Sequence, residues 1–234
     1  MKEAENKWDA YGRSRSPWRQ RTLFLHHQLA QKRIASLLGK IDRKTRVLDA
    51  GCGDGFFLNL LLQMGFKNIR GIDAGRSMVE RCRERGLPAE QKSLEEFTDA
   101  GGFDLILLIE VLEHLRDPGA AIEKIKSLLR PGGKLLLTVP VCDSLRKRYH
   151  RFRYGVTKLE QVVDWDETHL HAFSAREIKQ LLASRGLTVD RCLHASNPYP
   201  WIRRYGGDRL SASFQRFDLG GRFGDILIVL ASRK

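Results

Sequence analysis

Apolar residues along this chain alternate between two spacings, one typical of buried strands and the other typical of amphipathic helices. Short apolar runs that end in glycine or a polar residue predict strands at residues 46–50, 68–73, 103–109, 134–139 and 225–231. Apolar positions three and four residues apart predict helices at residues 23–38, 56–64, 77–85, 117–129 and 175–185. Strands separated by such helices pair in parallel through right-handed crossovers, so the pattern predicts an α/β sheet covered by helices on both faces.

The regular alternation stops at Pro140. From there to Thr168 the chain is basic, aromatic and weakly periodic, which predicts a loop or a small cap. A length of 234 residues, 42% of them hydrophobic, suits one sizeable core better than two. We therefore predict a single domain over residues 1–234, with an N-terminal arm at 1–22 and a basic aromatic cap at 140–172, inserted after the strand at 134–139.

Charge and cysteine usage narrow the class of protein. The formal net charge of +13 favours anionic partners, such as RNA, acidic lipid headgroups or phosphorylated metabolites. The four cysteines lie 30 or more residues apart with no C-x-x-C pair, which predicts reduced, mostly buried thiols instead of a zinc or redox motif. We find no run of roughly 18 uncharged apolar residues and no secretory signal, so we expect no transmembrane segment and a cytoplasmic location.

The glycine-rich turn after the first predicted strand is the first candidate ligand site. Its sequence is Asp49-Ala50-Gly51-Cys52-Gly53-Asp54-Gly55. Ligands of parallel sheets bind at the carboxyl ends of strands, where glycines let the backbone approach closely. A dinucleotide site needs G-x-G-x-x-G, whereas this turn is G-x-G-x-G preceded by Asp49. That carboxylate disfavours phosphate and favours a ligand bearing an ammonium or sulfonium group; the alternative is a tight turn without a ligand.

Asp73 ends the second predicted strand, about 20 residues after the glycines, where a carboxylate can accept hydrogen bonds from both hydroxyls of a ribose. The alternative is that Asp73 caps the helix that follows. Asp49 and Asp73 together favour a ligand that has both a cationic group and a ribose.

Four segments in this order resemble the class I S-adenosylmethionine-dependent methyltransferases. They are residues 47–55, 71–73, 103–115 and 128–133, and the resemblance covers about residues 23–193. It implies a Rossmann-like, seven-stranded methyltransferase fold, with a mostly parallel sheet, helices on both faces and an antiparallel last strand. It also implies S-adenosyl-L-methionine as the cofactor.

The resemblance assigns cofactor contacts residue by residue. The glycine turn would hold the methionine part of the cofactor, and Asp73 would hold the ribose. Ser93 and Leu94 would lie beside the adenine, although the family's usual acidic residue is not obvious there, and Ile109 would lie near the sulfur. The full predicted set is Asp49, Gly51, Cys52, Gly53, Asp73, Ala74, Ser93, Leu94 and Ile109.

Within the class, the chain is most similar to the ubiquinone-biosynthesis O-methyltransferase type, through residues 110–115 and 168–174. This similarity implies in-line transfer of a methyl group to a small-molecule or lipid-like acceptor, on oxygen. An oxygen acceptor of high pKa needs a base, and the candidate catalytic residues are His114, Glu110, His169 and His171. The alternative to a catalytic role is a structural or capping role, since His169 and His171 directly precede a predicted helix N-cap at Ser174.

A divalent metal is an alternative to the general base. Glu110, Glu113 and His114 offer two carboxylates and an imidazole within five residues, and some relatives hold an ion with a similar segment. His169 or His171 would be the fourth ligand. Other relatives with this segment are metal-free, and Glu113 would then face solvent.

The densest positive segment, residues 146–154, is a candidate acceptor-binding element because arginines interleaved with aromatics can grip phosphates and stack on bases. The predicted contacts are Arg146, Arg148, Tyr149, Arg153 and Tyr154. The same segment could lie on an anionic membrane surface, or form a solvated lid. Residues 201–205 could close the same side.

Three functions remain open on the sequence. The first is a methyltransferase for an anionic or lipid-like small molecule, favoured by the compact domain without a separate RNA-binding module. The second is an RNA or tRNA methyltransferase, favoured by the charge of +13 and the basic aromatic segment. The third is a non-catalytic scaffold that binds S-adenosylmethionine.

Overall fold

A seven-stranded sheet forms the centre of the protein in the computed structural model, which describes residues 30–143, 168–195 and 225–234. The strands are β1 (Val47–Ala50), β2 (Ile69–Asp73), β3 (Ala89–Gln91), β4 (Phe103–Ile109), β5 (Leu129–Pro140), β6 (Leu187–Ala195) and β7 (Ile226–Arg233). The helices are α1 (helical over the described residues 30–38), α2 (Phe56–Gln63), α3 (Arg76–Glu84), α4 (Pro118–Leu128) and α5 (Ala175–Ser184), with a 3₁₀ turn at Leu112–His114.

The strand order is β3-β2-β1-β4-β5-β7-β6. The first five strands pair in parallel, and β7 runs antiparallel between β5 and β6. The predicted mostly parallel sheet with an antiparallel last strand is therefore confirmed. The carboxyl ends of β1, β2 and β4 are adjacent, which brings the residues that follow these strands to one edge of the sheet.

Both faces of the sheet are covered. Along β4, Leu105 and Leu107 join one buried cluster with α1 and α2, while Ile106 and Leu108 join another with α4 and α5. Successive side chains of a strand point to opposite faces of the sheet. When both faces are buried, nearly every residue of the strand is apolar, and the strand appears in the sequence as a continuous hydrophobic run. This double burial is the reason why the central strands were predicted from short apolar runs.

Strand β5 begins earlier than predicted. The sequence predicted that residues 131–133 separate a helix from a strand at 134–139, whereas β5 starts at Leu129 and its pairing with β4 shifts register between Phe103 and Leu105. Gly132 has φ 76°, and a Cβ at Gly133 would lie 3.0 Å from the carbonyl oxygen of Phe103. The two glycines therefore continue the strand through an irregularity that other residues would not permit.

Helix α5 begins at a capping box. The Ser174 hydroxyl accepts from the Glu177 amide at 3.2 Å, and the Glu177 carboxylate accepts from the Ser174 amide at 2.7 Å. The predicted N-cap at Ser174 is confirmed, and it fixes the end of the segment that carries His169 and His171.

Two predicted features lie wholly or largely outside the described residues. These are the arm at 1–22 and most of the cap at 140–172. Among the helices that the structure describes, none combines the length and apolarity that crossing a membrane requires.

Candidate active site

The glycine turn is tied to the end of β2 by backbone hydrogen bonds. The amides of Gly51 and Cys52 both donate to the carbonyl oxygen of Ile72, at 2.8 and 2.9 Å. The Gly53 amide donates to Asp73 Oδ2 at 2.9 Å. The turn after β1 and the carboxylate after β2 therefore form one connected unit at the carboxyl edge of the sheet.

The three glycines of this turn serve different purposes. Gly51, Gly53 and Gly55 all have positive φ, at 80°, 54° and 85°. A Cβ at Gly51 would lie 2.4 Å from Val111 Cγ2, and one at Gly55 would lie 2.4 Å from Leu87 Cδ1. A Cβ at Gly53 would meet no atom within 4 Å. Packing therefore requires Gly51 and Gly55, whereas Gly53 borders open space that a ligand can enter.

Asp49 carries a carboxylate at the end of β1 that is 1% exposed. Its Oδ2 has no hydrogen-bond partner among the described residues. Burial, with a smaller contribution from the negative charge of Asp73, raises the pKa of Asp49 to about 7. A buried carboxylate with an unsatisfied oxygen is costly, so the site favours a cation or hydrogen-bond donor beside Asp49.

Asp73 organises the turn and does not cap the next helix. Its Oδ1 accepts from the Gly75 amide at 2.8 Å and its Oδ2 from the Gly53 amide, while the N-cap of α3 is Gly75. Each carboxylate oxygen has two lone pairs, so both can still accept a hydroxyl. The predicted alternative of a helix N-cap is wrong for Asp73.

The predicted adenine-side residues lie next to this unit. The Lys92 amide donates to the Asp73 carbonyl oxygen at 2.9 Å, which holds Ser93 close to the end of β2. The Ser93 hydroxyl accepts from the Glu96 amide at 3.3 Å, and Leu94 is buried in the core. Ser93 and Leu94 are thus fixed in position by local contacts of their own.

A compact acid–imidazole cluster lies after β4. Ligand-capable atoms of Glu113, His114 and His169 all lie within 4.8 Å of one another. The Nε2 atom of His114 is 3.9 Å from Glu113 Oε1, and the centroids of the His114 and His169 rings are 4.8 Å apart. Glu113 is 0% exposed, so the alternative in which it faces solvent is wrong.

Two atoms of Thr168 contact the Nδ1 atom of His114. His114 Nδ1 lies 3.1 Å from the carbonyl oxygen of Thr168, which can only accept a hydrogen bond. The Thr168 hydroxyl lies 3.2 Å from the same nitrogen. When Nδ1 carries the proton and donates to the carbonyl oxygen, Nε2 of the neutral ring has its lone pair available towards Glu113 and His169. Nε2 can take up a proton or bind a metal ion.

Backbone pairing delivers His169 to this cluster from more than 50 residues away. The amides of Leu170 and His171 both donate to the carbonyl oxygen of Glu113, at 2.8 and 3.1 Å. His171 itself stacks on Phe173 with a centroid distance of 5.8 Å, and its Nε2 is buried without a hydrogen-bond partner in the described parts of the chain. Of the two candidate histidines, His169 is the one that joins Glu113 and His114.

Glu110 is hydrogen-bonded to Thr138 and is not part of the cluster of Glu113, His114 and His169. It is the non-glycine residue with positive φ, 53°, among those described. Its Oε1 accepts from the Thr138 hydroxyl at 2.7 Å, and its amide donates to Thr138 Oγ1 at 3.1 Å. Among the described residues, the group of ligand-capable atoms that lie close together is Glu113, His114 and His169, and Glu110 is not part of it.

Sequence reasoning missed Thr138 and Thr168. Thr138 is 1% exposed and orients Glu110, and Thr168 orients His114. Thr138 lies inside an apolar strand and reads as a core residue, so its only signal is a buried hydroxyl that needs a partner. The predicted acceptor contacts Arg146, Arg148, Tyr149, Arg153 and Tyr154, and residues 201–205, lie outside the described residues.

Comparisons with known proteins identify the family of this chain. A family model described as a methyltransferase domain matches residues 18–191. The ubiquinone biosynthesis O-methyltransferase of Cereibacter sphaeroides is 31% identical over 184 residues, which cover 72% of this chain and 71% of that protein. The protein of the same name from Nitrosococcus oceani is 38% identical over 112 residues, covering 44% of this chain and 45% of that one.

A solved structure shares the fold. Magnesium protoporphyrin IX methyltransferase from Synechocystis PCC 6803, with bound SAH, gives a TM-score of 0.69 over 100% of this chain and 99% of that chain. The two sequences are 18% identical, so this likeness concerns the fold alone.

Proposed function

This chain belongs to the methyltransferase-domain family and is an S-adenosylmethionine-dependent methyltransferase, and from that premise we propose that it methylates an oxygen of a small-molecule or lipid-like acceptor. The observation that supports the cofactor part is the buried Oδ2 of Asp49, which has no hydrogen-bond partner within residues 30–143, 168–195 and 225–234. It lies in the same connected unit as Gly53, whose missing side chain leaves open space.

In our proposal Asp49 faces the ammonium of the cofactor, and the backbone of Gly51, Cys52 and Gly53 follows its methionine part. Asp73 and Ala74 lie at the ribose, Ser93 and Leu94 at the adenine, and Ile109 near the sulfur. The donor set suits the group because it combines a buried anion, an open glycine and a carboxylate with spare lone pairs. When bound, S-adenosyl-L-methionine supplies a methyl group that is already activated on a sulfonium sulfur.

The contribution of the chain is alignment and proton removal. In-line displacement requires the acceptor oxygen, methyl carbon and sulfur to be collinear, which a rigid turn and sheet edge provide. We assign His114 Nε2 as the base for the acceptor hydroxyl, because Nδ1 can donate to the carbonyl oxygen of Thr168, and in that tautomer Nε2 is unprotonated. The buried carboxylate of Glu113, 3.9 Å away, would stabilise the imidazolium that results.

The same donors also fit a divalent metal ion. Glu113, His114 and His169 would hold it, with ligand atoms within 4.8 Å of one another. The hydrogen bond from His114 Nδ1 to a backbone oxygen is the usual outer contact of a metal-binding histidine. A bound ion would lower the pKa of an acceptor hydroxyl and orient it.

The acceptor side of the proposal draws on the relatives, whose name refers to ubiquinone biosynthesis and O-methylation. We propose that residues 146–154 recognise an anionic or lipid-like acceptor and contact an anionic membrane surface peripherally. The four free cysteines fit a cytoplasmic location. RNA methylation and a non-catalytic scaffold are the alternatives.

The first experiment is calorimetric titration with S-adenosylmethionine and S-adenosylhomocysteine. We expect micromolar binding by the wild type, loss of binding in Asp73→Ala, and wild-type affinity in Asp54→Ala, which removes an exposed carboxylate from the same turn. Asp73→Asn keeps one oxygen acceptor and controls for collapse of the turn. No binding by folded wild-type protein would contradict the proposal, and binding without methylation of any extract would favour the scaffold.

A second experiment separates the base from the metal. Manganese binding is measured by electron paramagnetic resonance on wild type, Glu113→Gln and His169→Ala, and methyl transfer is measured with and without chelator. If Glu113, His114 and His169 hold an ion, the bound signal and the chelator-sensitive activity are both lost in the variants. Chelator-resistant activity without manganese binding would assign His114 as the base.

A further inference from the structure

Two thiols meet beneath the glycine turn. Cys52 lies in the turn itself, and Cys82 lies in α3, 30 residues further along the chain. Both approach the same carbonyl oxygen, that of Gly53, with Cys82 Sγ at 3.3 Å and Cys52 Sγ at 3.9 Å. Each thiol is the largest influence on the pKa of the other, as expected for two sulfur atoms that lie close together. The separation along the sequence hid this pair, because no C-x-x-C motif marks it.

The surrounding glycines make room for both sulfur atoms. A Cβ at Gly71 would lie 2.9 Å from Cys52 Sγ, and a Cβ at Gly55 would lie 2.9 Å from Cys82 Sγ. A side chain at either position would therefore displace a thiol. Both cysteines belong to a small buried cluster with Leu58 and Leu87, separate from the two main cores.

We propose that Cys52 and Cys82 are a redox modification site, at which a peroxide oxidises the two thiols to an intramolecular disulfide that weakens cofactor binding. One sulfur attacks a peroxide oxygen and breaks the O–O bond, which gives a sulfenic acid and one water. The second sulfur attacks the sulfenic sulfur, forms the S–S bond and releases a second water. Two thiols and one hydrogen peroxide thus yield one disulfide and two waters.

The pair is asymmetric. The interaction with Cys52 lowers the pKa of Cys82, while the same interaction and burial raise the pKa of Cys52. Cys82 is thus the sulfur that ionises first and starts the reaction, and Cys52 resolves it. Cys82 is fully buried and Cys52 is 7% exposed, so oxidation is slow and depends on peroxide entering past Cys52.

The effect on the cofactor rests on the proposed function. A disulfide would pull Cys52 towards α3 and strain the turn at Gly51, Cys52 and Gly53, whose amides contact Ile72 and Asp73. The Gly53 carbonyl would lose both of its thiol neighbours. We expect oxidation to weaken cofactor binding roughly tenfold or more, which corresponds to about 1.4 kcal/mol.

The test uses the full chain with Cys142→Ser and Cys192→Ser, which leaves the proposed pair as its only cysteines. After hydrogen peroxide, intact mass should fall by two hydrogens and peptide mapping should show a Cys52–Cys82 link that dithiothreitol reverses. Adding Cys82→Ser or Cys82→Ala should prevent the link and leave cofactor affinity insensitive to peroxide. Saturating S-adenosylhomocysteine should slow the oxidation.

The outcomes are separable. Absence of the linked peptide overturns the modification site, whatever the cofactor affinity. A linked protein whose affinity for S-adenosylhomocysteine equals that of the reduced protein overturns the effect on binding. If the reduced protein binds no cofactor, the proposed function fails, while the mass and peptide results still decide whether the disulfide forms.

Discussion

Two buried carboxylates, Asp49 and Glu113, differ in how far the sequence predicts their surroundings. Asp49 precedes a G-x-G-x-G turn, and its role beside a cationic ligand was predicted from that pattern. Glu113 was predicted only as a metal alternative or a solvent-facing residue, yet it is completely buried next to His114. Burial of a charged group depends on what packs around it, and Leu170 and His171, whose amides donate to the Glu113 carbonyl oxygen, lie more than 50 residues further along the chain.

At Asp49 we expect a specific loss on neutralisation. Asp49→Asn keeps the shape but removes the charge, so the affinity for S-adenosylhomocysteine should fall by about 10- to 100-fold, corresponding to roughly 1.4 to 2.8 kcal/mol. Isothermal titration at pH 8, where the wild-type carboxylate is ionised, measures this loss. Asp54→Asn, a neutral variant of the exposed acid in the same turn, should bind like the wild type. Equal affinities in wild type and Asp49→Asn would refute a cationic contact at this position.

At the scale of elements, strands buried on both faces were predicted and edge strands were not. The central β1 and β4 are nearly continuous apolar runs, because helices cover both of their sides. The two edge strands were not predicted. Strand β3 has only three residues, and β6 carries exposed polar residues and a register shift after Val189. An edge strand pairs on one side only, so neither its length nor its pattern has to be strongly apolar.

The glycine turn allows a matched comparison of backbone and ligand effects. Gly53 and Gly65 both have positive φ, and an added Cβ would meet nothing within 4 Å at either position. Changing each to alanine should cost a similar strain, on the order of 1 kcal/mol of unfolding free energy in urea titrations. Only Gly53→Ala should also weaken cofactor binding, because its Cβ enters the space assigned to the ligand. If Gly65→Ala weakens binding as much as Gly53→Ala, the effect is general destabilisation.

At the scale of the whole molecule, the sheet assembles a site whose parts lie far apart in sequence. The bridge between Val141 and Phe173 and the contacts of Glu113 with Leu170 and His171 return the chain to the end of β4. From the sequence, His169 and His171 were equally good candidates for the partner of His114. Their spacing of two residues does not determine which of the two rings lies next to His114. That choice depends on tertiary packing, since His171 stacks on Phe173.

Because Asp49 is buried, the stability of the cofactor-free protein should depend on pH in a defined window. Its pKa rises from 3.8 to about 7 on folding, so the folded form binds more protons than the unfolded form between these values. The stabilisation is complete below pH 3.8 and is lost as pH rises through about 7. The carboxylates with lowered pKa, Glu90, Asp99, Asp104 and Glu177, act below this range. Imidazoles change charge between pH 5.5 and 8, and the pKa of Cys82 is lowered, so the contribution of Asp49 is measured as the difference between wild type and Asp49→Asn.

A cofactor ammonium beside Asp49 should lower its pKa again and remove this penalty. S-adenosylhomocysteine should therefore raise the melting temperature more at pH 8 than at pH 5.5, when its concentration is the same at both. A hundredfold excess over Kd stabilises by about 2.7 kcal/mol, or roughly 5–10 °C for a domain of this size. In Asp49→Asn the ligand-induced shift should be small and equal at both pH values. A wild-type shift that is larger at pH 5.5 would mean that the protonated carboxyl is the form that binds.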